Sequence, residues 1–319
     1  MRLTPGWKRV AAALLVAATA FYLAYTITHN WQQVRAFRWD VDPLRLAASL
    51  VAHVAVLAWG VWVWGQVQRR FEHAPVGFGT LLRIWFLSSL SRYIPGKVFQ
   101  FFAVAQLAGA AGLSGKVLLT SLVVHTGMAL LSAVVLSAWT LSGALLPALP
   151  AVPVGIATTL VALLLVHPRF LNAALGVIPR LLKRETIRWN GSWGHGAALL
   201  ALSVLSWAFY GGAYYLLLSA LTEVPAGSLT LLAGVNALSF VAGYLSLVAP
   251  AGAGVREAAM TQLLLPLVPA SVGAVLAVAS RLWTIAAELA GGALVLALAR
   301  RGPAPGVDAA SGAAGTGVR

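Results

Sequence analysis

Pro250-Ala251-Gly252-Ala253-Gly254-Val255-Arg256-Glu257 interrupts an otherwise apolar stretch over residues 229–268. Proline ends a helix because it lacks an N–H and its ring clashes with the preceding turn, and clustered glycines favour a turn. The stretch therefore reads as two half-length helices joined at a break. Residues 81–112 are broken in the same manner by Arg92-Tyr93-Ile94-Pro95-Gly96-Lys97. Half-length helices fall short of a hydrocarbon core about 30 Å thick. Each pair is expected to enter and leave on one side as a re-entrant hairpin; two tightly joined full spans are the alternative.

Working outward from the breaks, uninterrupted apolar runs lie near residues 8–28, 44–65, 117–140, 150–167, 197–221 and 271–299. Each is long enough to cross with some tilt. The first follows Arg2, Lys8 and Arg9 and contains Ala18-Thr19-Ala20, as a cleaved signal peptide would. Its apolar character continues through Tyr25, which favours a retained span. Composition agrees with the spans. Of 319 residues 60% are hydrophobic and 9% charged, with a mean hydropathy of +0.86, against roughly 25% charged in a soluble domain. With no cysteine in the chain, disulfide scaffolds, thiolate chemistry and cysteine-ligated metals are excluded. The expected class is an all-α integral membrane protein with about six transmembrane helices plus two re-entrant or broken helical hairpins. Residues 1–300 form a single transmembrane domain, and residues 301–319, rich in Gly and Ala, are expected to be a disordered cytoplasmic tail.

The net charge of +14 would suggest nucleic acid in a soluble protein. Here the bases sit between apolar runs, so a positive-inside signal is the plainer reading and no nucleic-acid partner is expected. Arg69 and Arg70 follow the second span, Arg169, Arg180, Lys183, Arg184 and Arg188 the fourth, and Arg300 and Arg301 the last. With the N-terminus inside, this count places every basic loop and both termini in the cytoplasm. Only the 29–43 loop is discordant, with Arg35 and Arg38 beside Asp40 and Asp42. In the 168–190 loop Leu171, Leu175, Ile178 and Leu182 share a helical face while Arg180, Arg184 and Arg188 recur four apart. That pattern suits a basic helix on an anionic leaflet, and a merely solvated topology determinant fits equally well.

The two breaks also align. Leu90-Ser91 and Pro95 correspond to Leu245-Ser246 and Pro250 at a spacing of 155 residues. Pseudo-repeats of about 8–140 and 150–300 each read as span, span, broken hairpin, span. By the charge count they are inverted, an arrangement that in secondary transporters places a site where discontinuous helices meet.

Most acidic residues lie in loops or the tail, but Glu257 starts a half-helix and Glu288 lies inside the last span. Arg281, seven residues before Glu288, shares its helical face, so the two are candidates for a switchable pair lining a path; a purely structural pair is the alternative. At the breaks, Pro95, Gly96, Pro250, Gly252 and Gly254 precede helix starts whose free N–H groups favour anions, and Arg92, Lys97 and Arg256 add positive charge. The alternative is that the glycines only permit close packing. Glu257 is read either as a cap of its own helix or as a partner for Arg92 or Lys97 across the repeat interface. Gly112-Leu113-Ser114-Gly115 spells a GxSG with His125 downstream, but it lies in a loop and is common by chance in so glycine-rich a chain. His53 and His125 read as packing residues. No metal spacing and no HExxH, Walker or dinucleotide fingerprint is present, so no cofactor, no metal and no catalytic residue is assigned.

The motif from Arg92 through Tyr93 to Lys97, and the one from Pro250 to Glu257, resemble the paired motifs of the flippase-like family built on the transmembrane region of lysylphosphatidylglycerol synthetase. The resemblance covers about residues 8–300. It implies an integral membrane protein with a lipid-translocation-type fold. From the residues themselves, Arg92, Tyr93, Pro95, Gly96, Lys97, Pro250, Gly252, Gly254, Arg256, Glu257, Arg281 and Glu288 are expected at the substrate. The resemblance also implies company with cell-envelope glycosylation systems. The synthetase carries an aminoacyl-transferase domain after its membrane region and this sequence stops at Arg319, so that activity is not carried over and no enzyme is expected. The expected function is a transporter or flippase in the cell membrane for an anionic phospholipid or a polyprenyl-phosphate-linked sugar. The alternative is a non-transporting accessory subunit of a glycosyltransferase.

Overall fold

The computed structural model describes residues 21, 24–71, 76–89, 91, 99–145, 150–181, 186–246 and 252–301. Among them every regular element is helical: α1 (Trp31–Ala36), α2 (Pro43–Gln68), α3 (Phe78–Ser89), α4 (Phe99–Ala110), α5 (Gly115–Leu145), α6 (Ala151–Leu165), α7 (Pro168–Leu181), α8 (Trp193–Ser219), α9 (Leu229–Leu245), α10 (Val255–Leu263) and α11 (Ala270–Arg301). Most of the expected first span and the tail from residue 302 lie outside the described residues, although residues 24–29 are helical. Five segments are long and apolar enough to cross a membrane: 43–68, 115–143, 193–219, 226–245 and 270–298. The chain is an all-helical, multi-pass membrane protein.

Two elements differ from expectation. The run at 150–167 forms only α6, 15 residues or about 22 Å, before a 66° bend into α7. Pro168 causes the bend, since the residues before a proline are pushed out of helical geometry while proline itself suits a helix start. The second broken stretch is asymmetric. Its first arm, α9 with the 3₁₀ turn Ala226–Ser228, is 20 residues long, because nothing between Ala226 and Leu245 breaks or charges the helix. Only its second arm, the nine-residue α10, is half-length.

The internal repeat is visible in the elements. Starts of α2 and α8, α3 and α9, α4 and α10, and α5 and α11 are separated by 150, 151, 156 and 155 residues. Packing is reciprocal: α5 packs on α9 as α11 packs on α3, α10 lies against α11 as α4 lies against α5, and the paired α2 and α8 pack on each other. This exchange is consistent with an inverted repeat. In lipid, apolar burial alone gives helices little reason to associate, so close approach at small residues matters more. Gly211 meets Ala233, and Gly291 meets the ring of Phe86, with no room for a Cβ.

Loop contacts sort the two ends. Asp40 and Asp42 donate their N–H groups to the carbonyls of Leu221 and Ala220 at 3.0 and 2.9 Å, and Arg38 meets Glu223 at 3.7 Å. The Asp42 carboxylate also caps α2 by accepting from the Leu44 and Arg45 N–H groups. At the other end Asn190 donates its N–H to Arg70 O at 2.9 Å. Leu171 and Leu175 pack on the core around Val166 and Trp189, and Asn172 bonds both the N–H and the carbonyl of Trp189.

Candidate functional site

The break in the second repeat is closed by glycine. Gly252 and Gly254 hold φ of +68° and +88°, a region open to glycine at little cost. A Cβ on Gly252 would lie 2.5 Å from the Gly243 carbonyl oxygen, and one on Gly243 would lie 2.8 Å from Arg256 Cβ. These glycines turn the chain, and they let α10 seat close against α9.

This seat carries Arg256 and Glu257 into the protein at 7% and 6% exposure. Consecutive residues on a helix point about 100° apart, and these two have separate partners. Glu257 accepts from the Gly254 N–H at 2.6 Å through one oxygen and pairs with Arg281 at 3.4 Å through the other. It is at once a helix cap and a bridge to α11, and the partner is Arg281. Arg256 turns toward α9 and α8, donating to Asn236 Oδ1 at 3.4 Å, with the Tyr210 ring of α8 nearby. Among the described residues no carboxylate lies within ion-pair distance of Arg256. Glu257 is paired with Arg281, so among the described residues the hydrogen-bond partner of Arg256 is the neutral Asn236 amide.

Rings complete the surroundings. His53 on α2 lies with its ring centroid 3.9 Å from Trp283 on α11 and 4.6 Å from Tyr210 on α8. Tyr214 donates to Met260 Sδ at 3.2 Å, as does Ser280, which fixes α10 between α8 and α11. The arrangement is a buried cation held by rigid helices from both repeats.

A family model described as the lysylphosphatidylglycerol synthase TM region matches residues 10–292. The chain belongs to this family. No curated protein and no solved structure matches it. As a member of the lysylphosphatidylglycerol synthase TM region family, the protein stands in the context of lipid metabolism.

Of the site residues expected from sequence, the structure brings together Gly252, Gly254, Arg256, Glu257 and Arg281. Glu288 is buried on α11, 1% exposed, two turns beyond Arg281, and the ion pair seen for Arg281 is with Glu257. Arg92, Tyr93, Pro95, Gly96, Lys97 and Pro250 lie outside the described residues. Asn236, Tyr210, Trp283 and His53 were missed. A lone amide in the uncharged α9 and a histidine in an apolar span were the available signals, since intramembrane polar groups are costly without a purpose. An open depression of about 730 Å³ elsewhere, lined by Arg45, Tyr215, Ser219 and Glu223, offers less: Arg45 is already engaged by Asp42 at 3.2 Å and by Ser219 O.

Proposed function

We propose that the protein is a flippase-like transporter that moves an anionic lipid, a phospholipid or a polyprenyl-phosphate-linked sugar, across the cell membrane. One observation carries the reading: Arg256 is a buried guanidinium at the start of a half-helix whose hydrogen-bond partner among the described residues is a neutral amide. A buried charge is expensive unless compensated, and an anionic headgroup supplies the compensation. The α10 N-terminus, which favours negative charge, adds to it. The Glu257 carboxylate already fills the Gly254 N–H, so Arg256 rather than the bare helix end is the headgroup's contact. Lys97 and Arg92 of the first repeat are proposed to supply the matching cation there, and Glu288 to line the path. The reading assigns no bond-making chemistry and no cofactor to the chain.

Orientation follows from charge. Arg35, Arg38 and Arg45 are balanced by Asp40, Asp42 and Glu223 at one end, whereas Arg69, Arg70, Arg169, Arg180, Lys183, Arg184 and Arg188 outnumber Glu72 and Glu185 at the other. The basic end is assigned to the cytoplasm, with both termini.

The test is translocation of fluorescent anionic phospholipids in proteoliposomes, read by quenching from outside. Arg256→Gln is expected to lower the rate at least tenfold while the protein stays inserted and helical. Wild-type rates in that variant would overturn the reading.

A further inference from the structure

The cluster around Arg256 is rich in unused donors. Among the described residues, Arg256 Nε, Asn236 Nδ2, Trp283 Nε1 and both ring nitrogens of His53 are buried without a hydrogen-bond partner. They come from α10, α9, α11 and α2 and form one cluster: Arg256 bonds Asn236, the His53 ring lies against those of Tyr210 and Trp283, and Tyr210 lies near Arg256. A buried donor left without an acceptor is costly, and native proteins rarely leave several together. Here four residues on four helices do so around one cation. Arg256 Nε, Asn236 Nδ2 and Trp283 Nε1 are donors, and a neutral His53 adds one N–H beside one acceptor nitrogen, so the unpartnered donors outnumber the acceptors.

Charge narrows the ligand further. Arg256 contributes one positive charge, the nearby Glu257 and Arg281 pair with each other, and the buried Glu288 further along α11 adds no positive charge. A dianion in such a buried site would retain a negative charge with no counter-ion, whereas a monoanion with several acceptor oxygens matches both the charge and the donors. Resting on the proposed Arg256 headgroup site, we infer that His53, Asn236 and Trp283 complete it as a pocket for a phosphodiester monoanion, and that phosphomonoesters and diphosphates are disfavoured. The class includes glycerophospholipids and polyprenyl phosphosugars, which share this group.

The same geometry makes two conservative variants informative. Asn236→Asp places a carboxylate where Oδ1 already accepts from Arg256, so it neutralises the site from within. His53→Phe keeps the ring and removes both unpartnered nitrogens. Neither removes a bond that the described residues make to His53, and the Arg256 bond to residue 236 is strengthened. If these residues only hold the fold, the unliganded protein should lose stability; if they hold a ligand, it should not.

The experiment uses the full chain purified in detergent at pH 8.5, where monoesters are doubly charged. Binding and thermal stability are measured with dihexanoyl phosphatidylglycerol and citronellyl phosphoglucose as diesters, and with dihexanoyl phosphatidic acid and citronellyl phosphate as monoesters. At least one diester is expected to bind roughly tenfold more tightly than its monoester, the diester that does so naming the carrier. Asn236→Asp should melt no lower than wild type and lose diester binding more than tenfold. His53→Phe should keep its melting temperature and weaken binding by up to about tenfold, the scale of one hydrogen bond to a charged group. Equal or tighter binding of both monoesters, or wild-type diester affinity in Asn236→Asp, would overturn the inference. Arg256→Gln separates the two levels. Loss there with unchanged Asn236→Asp rejects this pocket and leaves the Arg256 site standing, while unchanged binding in Arg256→Gln rejects both.

Discussion

At the scale of single residues, Glu257 uses each oxygen for a different element. One caps α10 through Gly254 N–H and the other joins Arg281 on α11. Glu257→Gln keeps the size but removes the charge that both bonds use. Loss of a cap costs about 1 kcal/mol, and breaking a buried ion pair costs about 3–5 kcal/mol, so the variant should melt well below wild type. Arg281→Met should be destabilised too, and the double variant less than the sum of the two. A thermal double-mutant cycle showing strict additivity would mean that the two side chains do not act as a pair. That Glu257 needed a cation was legible in the sequence, because an acidic residue at a half-helix start inside a membrane protein needs a partner. Which cation was not. Sequence proximity to the breaks favoured Arg92 or Lys97, whereas the chain folds Arg281 back from 24 residues away.

At the scale of elements, the local signals of proline and glycine made the breaks legible, and the length of each arm depended on what lay far from them. Leu229–Leu245 carries no charge or proline, so it extends to nearly a full span, while Pro168 cuts α6 short. The close seat of α10 on α9 rests on Gly252. Gly252→Ala would require a left-handed conformation, costing about 1–2 kcal/mol, and would set a methyl 2.5 Å from the Gly243 carbonyl oxygen, costing a further 1–3 kcal/mol or so by overpacking. The variant is expected to lose thermal stability and Arg256-dependent translocation together. Gly60→Ala on α2 has nothing within 4 Å of the added methyl and should be silent. If the two alanine variants behave alike in melting and transport assays, the Gly252–Gly243 contact is not what sets the hairpin.

At the scale of the whole molecule, the repeat joins two sets of loops that are distant in sequence. The 29–43 loop shares an end with residues 219–223 through Asp40, Asp42 and Arg38, and Arg70 shares the opposite end with Asn190. The hydropathy pattern showed how many crossings to expect but could not show which loops touch, since those contacts span more than 100 residues. They turn the topology into a statement about paired positions, which a chain without cysteine lets one read directly. Arg38→Cys and Glu223→Cys, both exposed, should react with a membrane-impermeant maleimide from outside intact cells. Asn190→Cys, also exposed, should react only after the membrane is opened. The pairing and the orientation then fail separately. Labelling of Asn190→Cys alone from outside would reverse the assigned orientation and leave the fold intact, because the two ends would merely exchange sides. Labelling that divides Arg38→Cys from Glu223→Cys would break the fold itself, since their side chains meet at 3.7 Å and no membrane can lie between them.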